Sequence, residues 1–592
     1  MIRIVAAHYT NFRALRDVRI PFGKTTVLVG PNNAGKTSIL EGLERALGLG
    51  RRAYAFDEGD VSEGADPLDG FSIRVEFAPA GAATFTADEI GLFGNHVDVV
   101  DGEHRLFVVI VGRPDEDEGV FRTRLRFSKS DGAEDGAVSA IERDALGFLL
   151  LPAVREARHE FVDRGGLWSR LGADVELTSE AEERLETLGR NSGRTVVEEM
   201  LGADRADEVA DSVTNLVSAV LFADQADAAI AYSLLPTDLS QALRDVEVWL
   251  TTPDQASPRR ISDHSVGTQS VAMFGLFDAY AKATSGRVVA IGVEEPEAHL
   301  HPHATRRVVR HLADLGAQTI VTTHSTAVTD STDPRQIVRL RRRGSETTAH
   351  AIVPGKLNET ETRLIRKQIG EVGSDFVFAR AVLLAEGQSE RLALRAFAKQ
   401  LGHDLDVLGV TVVPVLGNSF RSFAALLGED GLSIPFARLS DLDAARNLLK
   451  GAIADGLLPA TVDPDDPTAA KGQAEAVGVF WWSTGDFEQV LLDGGGGPLY
   501  ATAISELYGP RYLRSIASNR GVPLPADPGA DVPFLRQVLL AKVSKPLLAE
   551  RVAELYADQG VAVPPEIATV LEFVVELVRE EARLAVTPTA GT

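Results

Sequence analysis

The sequence predicts an α/β protein: a parallel-sheet nucleotide core interrupted by a helical insertion, then a second parallel-sheet domain and a helical C-terminal part. Three observations predict it. An apolar run, Thr25 to Val29, leads into Gly30-Pro31-Asn32-Asn33-Ala34-Gly35-Lys36-Thr37-Ser38 and then a helical run to Leu49. Far downstream, Val288 to Ile291 leads into the paired acids Glu294 and Glu295. After Val377, apolar runs alternate with helical stretches and end in acids, the pattern of a parallel sheet that works at the carboxyl ends of its strands.

The first segment matches the phosphate-loop pattern G-x-x-x-x-G-K-[ST] between a strand and a helix. Its glycines, Gly30 and Gly35, with Asn32, Asn33 and Ser38, let backbone N–H groups close around the phosphates of ATP. Lys36 is expected at the β- and γ-phosphates and Thr37 on Mg²⁺. The second segment reads as the acidic strand of the same machine, with Glu294 in the Mg²⁺ shell and Glu295 orienting the attacking water. Thr319-Ile320-Val321-Thr322-Thr323-His324-Ser325 is a β-branched run ending in a γ-phosphate sensor, His324. Ser265-Val266-Gly267-Thr268-Gln269-Ser270 opens a helix and resembles a degenerate ABC signature, so Ser265 and Gly267 are expected to meet nucleotide held by a second copy of the chain. The order of these elements is that of an ABC-type ATPase, which works as a homodimer or higher homo-oligomer.

His299, His301 and His303 have a spacing that suits a strand, and no acid or thiol follows close by to complete a zinc set. With Pro302 arguing against a regular helix, the expectation is a loop at the dimer interface.

Composition narrows the class. Hydrophobic residues make up 44% and charged residues 24% of 592, ordinary for a soluble globular protein. There is no cysteine, hence no disulfide framework, and the start Met1-Ile2-Arg3-Ile4-Val5 reads as a strand rather than a leader; a cytoplasmic location is expected. No apolar run is long enough to span a bilayer. A net charge of −25 argues against a general nucleic-acid coat, so any such contact must be local and salt-sensitive. Arg339, Arg341, Arg342 and Arg343, then Arg363, Arg366 and Lys367, are the basic clusters, each either such a patch or a solvated face.

The expected domains are an ATPase N-terminal half at 1–155, a helical insertion for dimerisation at 156–255, and an ATPase C-terminal half at 256–375. A second domain at 376–560 and a C-terminal helix and tail at 561–592 follow. Runs such as Leu106 to Val111 and Phe121 to Phe127 suggest an antiparallel sheet beside the nucleotide core. The stretch 455–475 reads as a polar linker and Gly494 to Gly497 as a second flexible stretch.

In the second domain, Ala381 to Ala385 ends in Glu386-Gly387-Gln388-Ser389-Glu390, and Ile434 to Leu439 ends in Ser440-Asp441-Leu442-Asp443. Glu386, Asp441 and Asp443 fall at strand ends, with Glu390 one helical turn beyond Glu386. Carboxylates converging without a basic partner repel unless a divalent cation neutralises them, and hard oxygen donors favour Mg²⁺ or Mn²⁺. The arrangement matches the Toprim pattern.

Taken together, G-P-N-N-A-G-K-T-S, E-E-P-E-A-H-L-H-P, T-T-H-S, E-G-Q-S-E and S-D-L-D resemble the OLD (overcoming lysogenisation defect) family of ATP-dependent nucleases, which includes the nuclease subunit of the Gabija anti-phage system. Leu151-Pro152-Ala153-Val154-Arg155 resembles a further family segment. The resemblance implies ATPase roles for Lys36, Thr37, Glu294, Glu295 and His324, and metal roles for Glu386, Glu390, Asp441 and Asp443. It adds Asp486 and Glu488 as a later acidic pair, and Lys545, or its neighbour Lys542, as the lysine that assists cleavage. The implied activity is an ATP-binding, metal-dependent DNA endonuclease in anti-phage defence or DNA processing, with a UvrD-like helicase as a candidate partner. The alternative is an SMC-like DNA-binding ATPase with a non-cleaving Toprim platform. A topoisomerase-like transesterase ranks last, since no tyrosine lies in a recognisable winged-helix context.

Overall fold

The computed structural model describes residues 2–48, 56–115, 121–153, 161, 167–168, 193–222, 229–234, 246–253, 257–284, 288–415, 420–539 and 543–586. The chain divides into two units, Met1–Ala349 and His350–Thr592.

In the first unit, buried and open positions alternate along Ile2–Phe12 and Phe71–Pro79, the period of a sheet with one covered face. They join Leu15–Pro21, Glu103–Pro114, Phe121–Ser128, Glu134–Ala137 and Asp98–Val100 in a seven-stranded sheet, the expected antiparallel sheet. The nucleotide core is a second sheet in the order Glu346–Ala351, Ile337–Arg343, Thr25–Val29, Gln318–Thr322, Val288–Glu294, Gly147–Leu151. Its central strands are nearly all buried, which is why they read as continuous apolar or β-branched runs. The phosphate-loop strand pairs in parallel with Gln318–Thr322, which pairs in parallel with Val288–Glu294, so three of the expected motifs end side by side.

The insertion departs from the helical expectation. Helices Gly193–Leu201 and Ala203–Leu221 are present, but Ala229–Leu234 and Val246–Thr251 form an antiparallel pair that Arg259–Arg260 extends. Ile230, Tyr232, Val246, Val248 and Trp249 are β-branched or aromatic, and that preference prevails over the charged surroundings. Most of 156–192 lies outside the described residues.

The second unit is built on four parallel strands in the order Val410–Pro414, Ala381–Ala385, Phe436–Ser440, Val479–Trp481. From Ala381–Ala385 the chain goes first to one side and then to the other. Glu386 and Asp441 therefore stand at a switch point, where open parallel sheets place their sites. One core joins Leu383 and Leu439 to Phe397, Tyr556, Ile567 and Val574, so the C-terminal helix Pro565–Val586 belongs to this unit's core. The unit also begins before the expected 376: the Val353 N–H bonds to Asp430 O (2.9 Å), and Gln368, in helix Glu359–Val372, donates to Pro414 O.

The two flexible stretches are ordered structure. Within 455–475, Asp466 caps helix Pro467–Glu475, and Leu458, Val462, Ala470 and Ala474 are buried with Trp481. Small alanines carry the packing, so the segment's polar composition concealed it. Gly494 to Gly497 joins two helices across a kink at Gly495 (φ 83°), and a Cβ on Gly497 would stand 2.2 Å from Gly529 O. Gly494, Gly496 and Gly497 serve close approach and Gly495 a left-handed turn, not flexibility. Among the described residues no helix is long and apolar enough to cross a membrane.

Candidate functional site

The candidate nucleotide site follows from strand, loop and helix geometry. Gly30 has φ 152°, and a Cβ there would meet Leu340 O at 2.5 Å, so only glycine lets the loop leave its strand this way. Asn33 (φ 66°) turns the loop and Gly35 opens helix Lys36–Leu47, whose first N–H groups are free for an anion. Asn32 and Asn33 are exposed in the loop, and Ser38 lies in the helix's first turn. Lys36 is buried and donates from Nζ to Gly30 O (2.9 Å) and Pro31 O (3.0 Å). Burial pulls its pKa down to about 8, against the raising influence of Glu295 and Glu297.

Glu294 ends its strand buried, its Oε2 accepting the Ala153 N–H (3.2 Å). Burial raises its carboxyl, against hydrogen bonds from Ala153 and Thr37. That bond brings Thr37 and Glu294 together as a Mg²⁺-coordinating pair would require. Glu295 holds φ 41°, a left-handed conformation that non-glycine residues rarely take, and its N–H bonds to Thr322 O (2.9 Å). His324 follows that same strand; burial and then Lys36 lower its pKa. Ser265 caps helix Val266–Ala283, and Gly267 approaches the His299 carbonyl so closely that a Cβ would stand 2.9 Å from it. The histidine run corrects the expectation about Pro302. Pro302 starts helix Pro302–Asp314, where its missing N–H is no loss, with His301 as N-cap and His303 bonded to Arg306 (3.0 Å).

The roles of two residues here went unread in the sequence. Glu297 Oε1 accepts from Thr323 Oγ1 (2.7 Å) and the His324 N–H (3.0 Å), tying the acidic turn to the end of the neighbouring strand. Arg342 donates from Nη1 to Asn33 O (2.7 Å), so part of the basic cluster braces the phosphate loop, and Arg339 is buried. The acid two residues past Glu295 was the only available signal for the first.

In the second unit one carboxylate oxygen from each of Glu386, Asp441 and Asp443 lies within 4.8 Å of the others. The Asp441 N–H donates to Glu386 Oε2 (2.8 Å), locking two strand ends together. Asp443 sits in the turn Leu442–Ala444, and the Leu442 N–H bonds to Gly485 O (2.8 Å). Asp441 Oδ1 is buried and has no hydrogen-bond partner among the described residues. Burial, then Glu390 and Glu386, push Asp441 up to about 8; burial, then Glu488 and Glu386, push the buried Glu390 up to about 7. Glu488, also buried, meets Lys545 Nζ (3.3 Å) and Ser389 Oγ (3.5 Å).

Asp486 stands apart in role: it caps helix Phe487–Leu491 and takes Arg536 Nη1 at 2.7 Å. Burial works to raise its carboxyl, but Arg536 and the Gln489 N–H outweigh it and hold the pKa low. Arg536 was not anticipated, because its partnership spans two helices distant in sequence. Lys542, Val154 and Arg155 lie outside the described residues.

The donor set fits a hard divalent cation: three convergent carboxylates, one with a buried oxygen that has no hydrogen-bond partner among the described residues. Fold and site define the class: an ABC-type P-loop ATPase fold followed by a Toprim fold. Residues 7–369 match the family model described as Protein of unknown function (DUF2813), and the chain belongs to that family. Residues 377–443 match the overcoming lysogenization defect protein-like TOPRIM domain, which bears out the OLD-family resemblance.

The chain is 26% identical over 457 residues to the OLD nuclease of Thermus scotoductus, covering 73% of this chain and 80% of that protein. It is 23% identical over 483 residues to the Old nuclease of Escherichia phage P2, covering 76% and 78%. A solved C-terminal region of the Xanthomonas campestris pv. campestris OLD protein aligns at 26% identity and TM-score 0.29, covering 36% of this chain and 99% of that one.

Proposed function

We propose that this protein is a DNA endonuclease whose Toprim acids bind Mg²⁺ or Mn²⁺ and whose ATPase unit gates access to the DNA. The observation that carries this reading is the convergence of Glu386, Asp441 and Asp443, with Asp441 Oδ1 lacking a hydrogen-bond partner among the described residues. The relatives called OLD nuclease support it. A bound divalent ion supplies Lewis acidity and charge neutralisation at a phosphodiester. Glu386 and Asp441 fix the donor geometry from adjacent strand ends. Lys545, drawn in by Glu488, supplies positive charge for the phosphate oxygens as charge builds during cleavage.

In the first unit, Lys36 and the loop N–H groups hold the nucleotide phosphates, Glu295 orients water and His324 senses the γ-phosphate. Ser265 and Gly267 act on nucleotide held by a second copy, so the working form is at least a homodimer. A cytoplasmic anti-phage role and a UvrD-like helicase partner rest on the motif resemblance to the Gabija subunit.

The test is plasmid cleavage by purified protein. Cutting appears with Mg²⁺ or Mn²⁺ and stops with EDTA. Cutting that persists in EDTA overturns the metal role of the acids, and DNA binding with no cutting under any metal returns the Toprim unit to a binding platform.

A further inference from the structure

The Toprim acids repel DNA, and the bases closest to them are engaged: Arg536 on Asp486 and Lys545 on Glu488. Lys545 nevertheless leads outward along a connected surface. The N–H of the preceding residue, Ser544, donates to the Tyr508 hydroxyl (2.7 Å). Tyr508 stacks on Tyr512 with ring centroids 4.7 Å apart and planes at 21°. Tyr512 begins helix Tyr512–Arg520, and Arg511 and Arg514 are exposed one turn apart at this corner. Neither guanidinium has a hydrogen-bond or ion-pair partner among the described residues. In a chain of net charge −25, the stretch 508–520 carries three arginines and no acid.

We infer that the corner formed by Tyr508, Arg511, Tyr512 and Arg514 is the track on which the backbone of duplex DNA is held and led to Lys545 and the Toprim acids. The stacked tyrosines keep the two arginines at a fixed offset from Lys545, and the arginines take phosphates without reading sequence. The inference rests on the nuclease reading of the same unit.

The test compares parent protein with the double variant Arg511→Ala/Arg514→Ala, and with Arg511→Lys/Arg514→Lys, which keeps the charge. Duplex binding is titrated against salt, beside plasmid cleavage and ATP hydrolysis. Two lost phosphate contacts lower the magnitude of the slope of log K against log salt by about 2. The alanine variant shows that change and cuts more slowly at subsaturating DNA; the lysine variant restores most of the slope. ATP hydrolysis and melting temperature stay at parent values, since both side chains are exposed. If the parent binds and cuts DNA and the alanine variant keeps its slope and affinity, the track is wrong and the nuclease reading stands. A parent that neither binds nor cuts DNA removes both.

Discussion

Replacing Asp441 by asparagine removes the most strongly perturbed charge in the Toprim site. A carboxyl whose folded pKa is raised to about 8, from 3.8, keeps its proton in the folded state where the unfolded chain has lost it. Metal-free stability therefore falls as pH rises through that window, and Glu390, raised to about 7, adds to the fall up to its own pKa. Between pH 5 and 8, about three units at about 1.4 kcal/mol each give a ceiling of roughly 4 kcal/mol for Asp441. Relaxation and water penetration at a partly buried site reduce this to about 2 kcal/mol. For a unit of this size that is about 4–8 °C in melting temperature.

Asp441→Asn has no such proton to lose. In EDTA at pH 8 it melts above the parent by about that amount, and at pH 5 the two agree closely. Mg²⁺ or Mn²⁺ reverses the order, because the divalent ion stabilises only the parent's intact acid set. The assay is a pH series of thermal melts with and without metal. A parent whose metal-free melting temperature does not fall between pH 5 and 8, or an Asp441→Asn variant stabilised by metal as much as the parent, refutes the reasoning.

Other expectations concern distinct parts of the molecule. Lys36→Ala abolishes nucleotide binding, whereas Glu295→Gln binds ATP and fails to hydrolyse it; hydrolysis at the parent rate in Glu295→Gln contradicts the water-orienting role. Lys545→Ala slows plasmid cleavage by about 100-fold or more with little loss of DNA affinity, as expected for a group acting on developing charge; equal losses in both assays point to a docking role instead. Gly497→Ala, with its Cβ set 2.2 Å from Gly529 O, destabilises the second unit by about 1–3 kcal/mol in a denaturant titration. A parent-like midpoint shows that the segment 494–497 yields freely.

What was legible in the sequence was what lies on strand–turn–helix units. Gly30 to Ser38, Glu294 with Glu295, and Glu386 with Asp441 each follow a short apolar run, and a parallel sheet brings such ends together automatically. What escaped depends on contacts between distant segments. Glu297 acquires its role only because Thr323 and His324 lie beside it, and Arg342 because its strand neighbours the phosphate loop. Asp486 gains Arg536 as a partner only because helix Val532–Leu539 brings it there. Composition misled where small residues do the packing: Ala470 and Ala474 hold a helix that reads as polar, and Gly497 marks close contact where repetition suggests slack.

The central claim is that the cluster at the switch point of the second unit cuts DNA while the first unit handles ATP. Parallel measurement of plasmid cleavage and ATP hydrolysis in Glu386→Ala and Asp443→Ala tests it most directly. The account predicts cleavage lost in both variants with ATP hydrolysis largely retained. Cleavage at the parent rate in both variants would contradict it.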